Sequence, residues 1–176
     1  PLAVALDLKR RVNEVTGLTL SVGVGANKSV AKIASDLYKP DGLVVVPPGE
    51  EAEFLAPLSV GKLWGIGPKT AERLRQEGVD TIGQLADQPM DWFNRCFGVR
   101  AFSVRAKARG EDREPVHTGR ETKSVSAETT FAADLGEPER LHAELARLAG
   151  NVSRHLERKG LQGRTVTMKA RLANFT

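Results

Sequence analysis

Cysteine is nearly missing from this chain: Cys96 is the single thiol among 176 residues. One thiol excludes an internal disulfide, so the fold must hold by packing, as suits a reducing, cytoplasmic setting. Cys96 and the three histidines, His117, His142 and His155, show no paired ligand spacing, so a structural zinc site is not expected. Aromatic residues are scarce, at 5%, and do not interleave with the basic runs. That argues against a platform on which single-stranded bases stack. No apolar run approaches the roughly 20 residues of a membrane-spanning helix, and nothing reads as a signal peptide, so no membrane partner is expected. Carboxylates paired at a strand end are also missing. Glu111-Asp112 lies in a linker-like stretch and Glu50-Glu51 opens a short helix. Neither offers a two-metal site.

The residues that are present suit a folded, water-compatible chain of one large or two small domains. Hydrophobic residues make up 40% and charged ones 27%, with a mean hydropathy of −0.29. The net charge of +4 makes a polyanionic partner plausible. The charge is segmental. Residues 151–176 hold six basic residues against one acidic, residues 95–123 eight against four, and residues 126–150 two against five.

The most informative stretch is Leu63-Trp64-Gly65-Ile66-Gly67-Pro68-Lys69-Thr70-Ala71. Two glycines around one apolar residue make a turn too tight for side chains at the flanks. Pro68 suits the first position of a helix, which Gly78 would stop. Ser59 is placed to cap a short helix through Leu63. The stretch reads helix, hairpin, helix. Such a hairpin aims backbone N–H groups and a helix N-terminus at one phosphate of a nucleic-acid strand, with Lys69 at the rim. The plainer alternative is a tight turn between packed helices.

Elsewhere the pattern predicts a helix over Val4, Leu8, Val12 and Val15, ended by Gly17, then a strand over Leu18 to Val24. Asn27 can cap a helix that runs to about Tyr38 and buries Val30, Ile33, Ala34 and Leu37. Leu43 to Val46 is a short strand, so a βαβ-like unit is expected. After a short helix over 50–56 and the hairpin, Thr81 and Gln84 form a capping-box pattern. Trp92, Phe93, Cys96 and Phe97 cluster ahead of Gly98. Gly98-Val99-Arg100 echoes the hairpin in degenerate form, and a helix follows to Arg109. Residues 111–122 read as a linker. Strands are expected over 124–131 and 165–172, with a helix opened by Pro138 between them, its apolar stripe Leu141, Leu145, Leu148, Val152 and Leu156.

Three clusters could carry chemistry. Lys28, Lys32 and Lys39 surround one helix and its exit turn, where lysines can hold a triphosphate; an ordinary solvated helix face is the alternative. The hairpin would bind phosphate without reading sequence. Lys123, Ser124 and Ser126, with Lys169 and Arg171, could lie along a duplex backbone or simply form a solvated sheet face. Both chain ends look cut, and the sequence reads as a fragment.

These residues resemble a known family. Asn27-Lys28-Ser29-Val30-Ala31-Lys32-Ile33-Ala34-Ser35-Asp36 with Lys39-Pro40-Asp41-Gly42 resembles the palm of Y-family translesion DNA polymerases. Trp64 to Ala71 is similar to their thumb hairpin, and Arg109-Gly110 with Lys123 to Phe131 to their passage into the little finger. The match lies nearest the bacterial DNA polymerase IV branch. It implies an α+β fold: a partial β-α-β palm (1–57), an all-helical thumb with a helix-hairpin-helix (58–112), a linker (113–122) and a partial α/β little finger (123–176). It implies that Lys39 contacts the triphosphate of an incoming deoxynucleotide. It places Gly65, Ile66, Gly67, Lys69 and Thr70 on primer–template DNA, joined by Lys123, Ser124, Ser126, Lys169 and Arg171.

The family's metal-binding carboxylates would lie upstream, so no catalytic or metal residue is expected here, and this chain alone is expected to be inactive. Mg2+ would serve the whole enzyme. A sliding clamp would bind through a C-terminal tail not included here, and a monomer is expected. Two other readings remain. One is a helix-hairpin-helix DNA glycosylase with Lys69 as nucleophile and Asp87 as its carboxylate. The other is a non-catalytic, DNA-binding polymerase relative.

Overall fold

α1 (Leu2–Thr16) runs until Gly17, which turns left-handed at φ 69° and donates its amide to the Asn13 carbonyl. The computed structural model describes residues 1–119 and 121–172. α1 leads to a parallel pair of strands, β1 (Val22–Val24) and β2 (Leu43–Val45), with Val22 opposite Leu43. Parallel pairing requires a crossover, and α2 (Lys28–Leu37) supplies it. The Asn27 side chain caps α2 by accepting the Val30 amide. α2 buries Ser29, Val30, Ile33 and Ala34, with Leu37 half-buried.

The first strand is shorter than the alternation from Leu18 predicts. Lys9 explains part of the difference: its Nζ donates to the Leu20 carbonyl at 2.5 Å and to Asp41 Oδ1 at 2.5 Å, so the Leu20 carbonyl is taken by a side chain of α1 and not by a strand amide. The expected apolar stripe of α1 is also not covered. Val4, Leu8 and Val15 are exposed and only Ala5 is buried, because two three-residue strands give the helix a narrow floor. β1 itself lies very close to α2. A Cβ added to Gly23 would stand 2.1 Å from the Ala31 carbonyl oxygen and 2.3 Å from the Ser35 nitrogen.

The helical part follows: α3 (Glu51–Leu55), a 3-10 turn (Val60–Lys62), α4 (Pro68–Gln76), α5 (Ile82–Ala86), α6 (Met90–Phe97) and α7 (Ala101–Ala108). The capping box expected at Thr81 and Gln84 is formed in both directions. The Ser59 cap is not; the turn after Ser59 is 3-10 and its side chain makes no cap bond. Leu55, Val60, Leu63, Ile66, Leu74, Ile82, Leu85 and Phe93 form one apolar cluster with Val30, Ile33 and Ala34 of α2. The βαβ part and the helical part therefore share a core. Trp92 stands edge-on to Phe93 with ring centres 5.6 Å apart.

Residues 1–116 make one compact unit and residues 117–176 another. The second unit is built on α8 (Pro138–Lys159), closed by Gly160 in the left-handed conformation. None of its helical residues is buried. The strands expected over 124–131 and 165–172 are not formed. An alternating sequence supplies a face, but a strand needs a neighbour for its amides and carbonyls, and these segments do not pair. The alternation survives as exposure: Val125 and Ala127 are half-buried while Ser124 and Ser126 are exposed.

Candidate nucleic-acid interface

The hairpin is built from its apolar residues outward. Leu63 and Ile66 are buried, and Ile66 donates its amide to the Leu63 carbonyl at 2.9 Å. These contacts pin the turn to the core. Gly65 can then take φ 100°, a conformation that favours glycine. Gly67 is extended and caps α4, with Pro68 at the first helical position. Among the described residues, the amides of Gly67, Lys69 and Thr70 find no acceptor. Three backbone donors and the positive end of α4 therefore face outward together, and a Cβ on Gly67 would meet nothing within 4 Å. This is the arrangement that binds an anion.

Ile66 departs from its sequence expectation. Its amide is already engaged inside the turn, so its place at the tip is that of an anchor.

Sequence reasoning missed the breadth of the surrounding charge. A groove of about 890 Å³ runs beside the hairpin, lined in part by Lys62, Lys69, Arg73 and Arg75, with Glu72 as the opposing charge. The 3-10 turn contributes Lys62 and α4 the rest, Lys69 and Arg73 one turn apart and Arg75 from a neighbouring face. Arg73 also donates to the Cys96 carbonyl at 2.9 Å, which fixes it against α6. Part of the signal was in the sequence, since Lys69 and Arg73 stand one turn apart on α4, but Lys62 joins them only through the turn.

The echo at Gly98-Val99-Arg100 is one of sequence and not of packing. It forms a 3-10 turn, and Val99 is fully exposed where Ile66 is buried. Arg100 instead reaches the first hairpin, donating from Nη2 to the Gly65 carbonyl at 2.8 Å.

The two lysines of α2 and Lys39 beyond its end separate into two places. Lys32 and Lys39 both bear on Asp36, Lys39 Nζ at 2.5 Å from Oδ1. A hydrogen bond from Lys32 and, after it, the Lys39 ammonium beside Oδ1 lower the Asp36 carboxyl from 3.8 to about 2. Lys28 sits at the opposite end of the helix, 2.9 Å from Glu114 Oε2. It is not part of a triphosphate cluster with Lys39. In the second unit Lys123, Ser124, Ser126, Lys169 and Arg171 are exposed; without strands they do not share a sheet face. Among the described residues, no three His, Cys, Asp or Glu side chains are placed to hold a metal ion, and no helix is long and apolar enough to cross a membrane.

Comparison with known proteins covers the chain in order. Residues 1–36 match the impB/mucB/samB family, residues 48–79 the IMS family HHH motif, and residues 122–176 the impB/mucB/samB family C-terminal domain. A DNA polymerase IV of Alkalilimnicola ehrlichii is 46% identical over 172 residues, covering 98% of this chain and 48% of that protein. A DNA polymerase IV of Methanoculleus marisnigri is 48% identical over 173 residues, with the same coverage, 98% and 48%. This chain thus spans about half the length of these relatives. A crystal structure of DinB from Sulfolobus solfataricus superposes with a TM-score of 0.59 at 31% identity, over 65% of this chain and 34% of that one. An insertion ternary complex of Dbh DNA polymerase matches with a TM-score of 0.59 at 31% identity, over 65% and 33%. With three family segments in register, an outward-facing hairpin and these relatives, the chain belongs to the impB/mucB/samB family of DinB-type, Y-family polymerases.

Proposed function

We propose that this chain is the palm-to-little-finger part of a DNA-directed DNA polymerase of the translesion type, and that its hairpin grips the backbone of primer–template DNA. The observation that carries this reading is the set of free amides at Gly67, Lys69 and Thr70, beside a groove with Lys62, Lys69, Arg73 and Arg75. Backbone amides and lysines select phosphate and not base identity. The grip would therefore slide with the growing duplex, as a polymerase needs.

Lys39 is proposed to meet the triphosphate of the incoming deoxynucleotide, with Asp36 holding it between turnovers. Lys123, Ser124, Ser126, Lys169 and Arg171 are proposed as further backbone contacts, once their segments are paired into a sheet. The proposed divisions remain palm to residue 57, thumb 58–112, linker 113–122 and little finger from 123. The residues described here do not fit a metal site. Divalent ions, with Mg2+ the proposed species, are therefore assigned to other parts of the whole enzyme. A sliding clamp as partner, a monomeric state and a cytoplasmic location belong to the same proposal. The quoted relatives carry polymerase names, which disfavours the glycosylase reading of Lys69 and Asp87.

Titration with duplex DNA tests the grip. Gly65→Val with Gly67→Val should weaken binding about tenfold or more, the scale of losing charge-assisted hydrogen bonds to one phosphate. Binding of the parent chain should fall steeply with salt. Equal affinity of the double variant and the parent would remove the hairpin from the interface.

A further inference from the structure

Among the described residues, the polar contacts across the junction between the βαβ part and the helical part gather at one place. Among the described residues, every hydrogen bond and ion pair that joins residues 1–46 to residues 58–116 starts at Asn27, Lys28 or Ser29. These are the cap and first turn of α2. All their partners lie on the strap that leaves α7. Asn27 donates to the Gly110 carbonyl at 2.7 Å, Ser29 Oγ donates to Asp112 Oδ2, and Lys28 donates to the Pro115 carbonyl at 3.3 Å and pairs with Glu114.

The strap is shaped for this docking. Gly110 turns at φ 78°, where a Cβ would stand 2.5 Å from Glu51 Cβ. The Glu111 amide returns to the Ala106 carbonyl at 2.9 Å. Asp112 Oδ1 accepts the Glu114 amide at 3.1 Å, so one carboxylate shapes the strap and holds Ser29, which is 2% exposed.

The same cluster touches the hairpin. Trp64 immediately precedes Gly65. Lys28 Nζ stands 5.7 Å from the centre of its ring and Lys107 Nζ of α7 stands 4.8 Å from it. A continuous path of contacts thus runs from Asp112 through Ser29 and Lys28 to Trp64 and the hairpin.

We infer that Asp112 is a positioning residue: acting through Ser29, with Lys28 and Trp64 beside them, it sets where the hairpin stands relative to α2. Resting on the function proposed above, this sets the separation between the DNA grip and the helix that leads to Lys39. The apolar cluster shared by the two parts keeps the chain folded when the polar bridge is cut. What the bridge adds is a defined angle, because hydrogen bonds are directional where apolar contact is not.

Pulsed electron paramagnetic resonance between spin labels tests this without DNA. Labels go at Lys32→Cys on α2 and Glu72→Cys on α4, in a Cys96→Ser background. The parent should give one narrow distance distribution. Asp112→Ala and Ser29→Ala should each broaden it or shift it by several ångströms, and the double variant should go no further than either single. Arg113→Ala, an exposed change on the same strap, should leave it narrow. A lower melting temperature with an unchanged distribution would mean that the cluster only stabilises, and would overturn the inference; so would additive effects in the double variant. A second readout separates this from the hairpin's own role. Duplex affinity of Asp112→Ala should stay within about threefold of the parent, since the amides at Gly67, Lys69 and Thr70 are untouched. A loss as large as that of Gly65→Val with Gly67→Val would mean the cluster shapes the hairpin and does not place it, and would also overturn the inference.

Discussion

Asp36 shows how a single residue can organise a candidate site that sequence spacing alone misassigns. Lysines one turn apart suggest a cluster open to phosphate, yet the structure sets a carboxylate between Lys32 and Lys39. Its carboxyl lies near 2 because its charged form accepts a hydrogen bond from Lys32 and pairs with the Lys39 ammonium. A depressed acid stabilises the fold above its unfolded value, 3.8, and that stabilisation is lost as pH falls through about 2. Carboxyl-detected NMR should give an Asp36 midpoint near 2. Lys39→Ala should move that midpoint upward, because one of the two cations beside the carboxylate is removed. In primer extension by a whole polymerase the same change should raise the nucleotide KM. An unmoved midpoint would show that Lys39 does not hold Asp36. An unmoved KM would return Lys39 to the solvated surface.

At the scale of elements, the difference between α4 and α8 is one of surroundings and not of sequence quality. Both have regular apolar stripes. Leu74 of α4 is fully buried, while Leu145 of α8 is 43% exposed. Leu74→Ala should cost roughly 2–5 kcal/mol by leaving a cavity in the shared core. Leu145→Ala should cost about 1 kcal/mol or less, because much of that side chain already meets water. Chemical denaturation of the two variants checks both values, and equal losses would contradict the packing described.

The same comparison shows what could be read from the chain. The capping box at Thr81, the Asn27 cap, Pro68 at the start of α4 and the Gly17 stop are local rules, satisfied by residues within a turn of one another. They were legible for that reason. The hairpin's shape was legible too, but the engagement of the Ile66 amide by Leu63 was not, because apolar identity says nothing about where an amide points. The strap contacts are further from any pattern. Asn27 and Gly110, like Ser29 and Asp112, stand 83 residues apart, and no periodicity links them. Residues 111–115 therefore read as linker although Asp112 is half-buried against α2. The strands over 124–131 and 165–172 failed for the opposite reason. Their alternation is genuine, but a strand depends on its neighbour as much as on itself.

For the molecule as a whole, protection should be as uneven as burial. Residues 1–116 hold a core from Val30 to Ala108, whereas α8 has no buried residue. Amide hydrogen exchange should find the slowest sites in α4, α5 and α6, and exchange in α8 faster by orders of magnitude. Equal protection in α8 would mean that its apolar face is covered in solution. The charge divides differently: residues 151–176 are strongly basic while residues 126–150 are acidic. The second unit therefore presents opposite signs along successive stretches of chain, and its pull on a polyanion should come from the later one.

The close approach of β1 to α2 bears on how any mutational map of this chain should be interpreted. Gly23 sits where a methyl group would overlap backbone atoms of Ala31 and Ser35, and backbone cannot swing aside as a side chain can. Gly23→Ala should therefore abolish soluble expression or the cooperative melt, while Gly163→Ala, which meets nothing within 4 Å, should pass unnoticed. In a selection for polymerase function, Gly23 would score as intolerant as a residue on the substrate. Ranking positions by lost activity would thus place a spacer between two pieces of main chain among the active-site residues, and only a parallel assay of protein abundance would tell them apart.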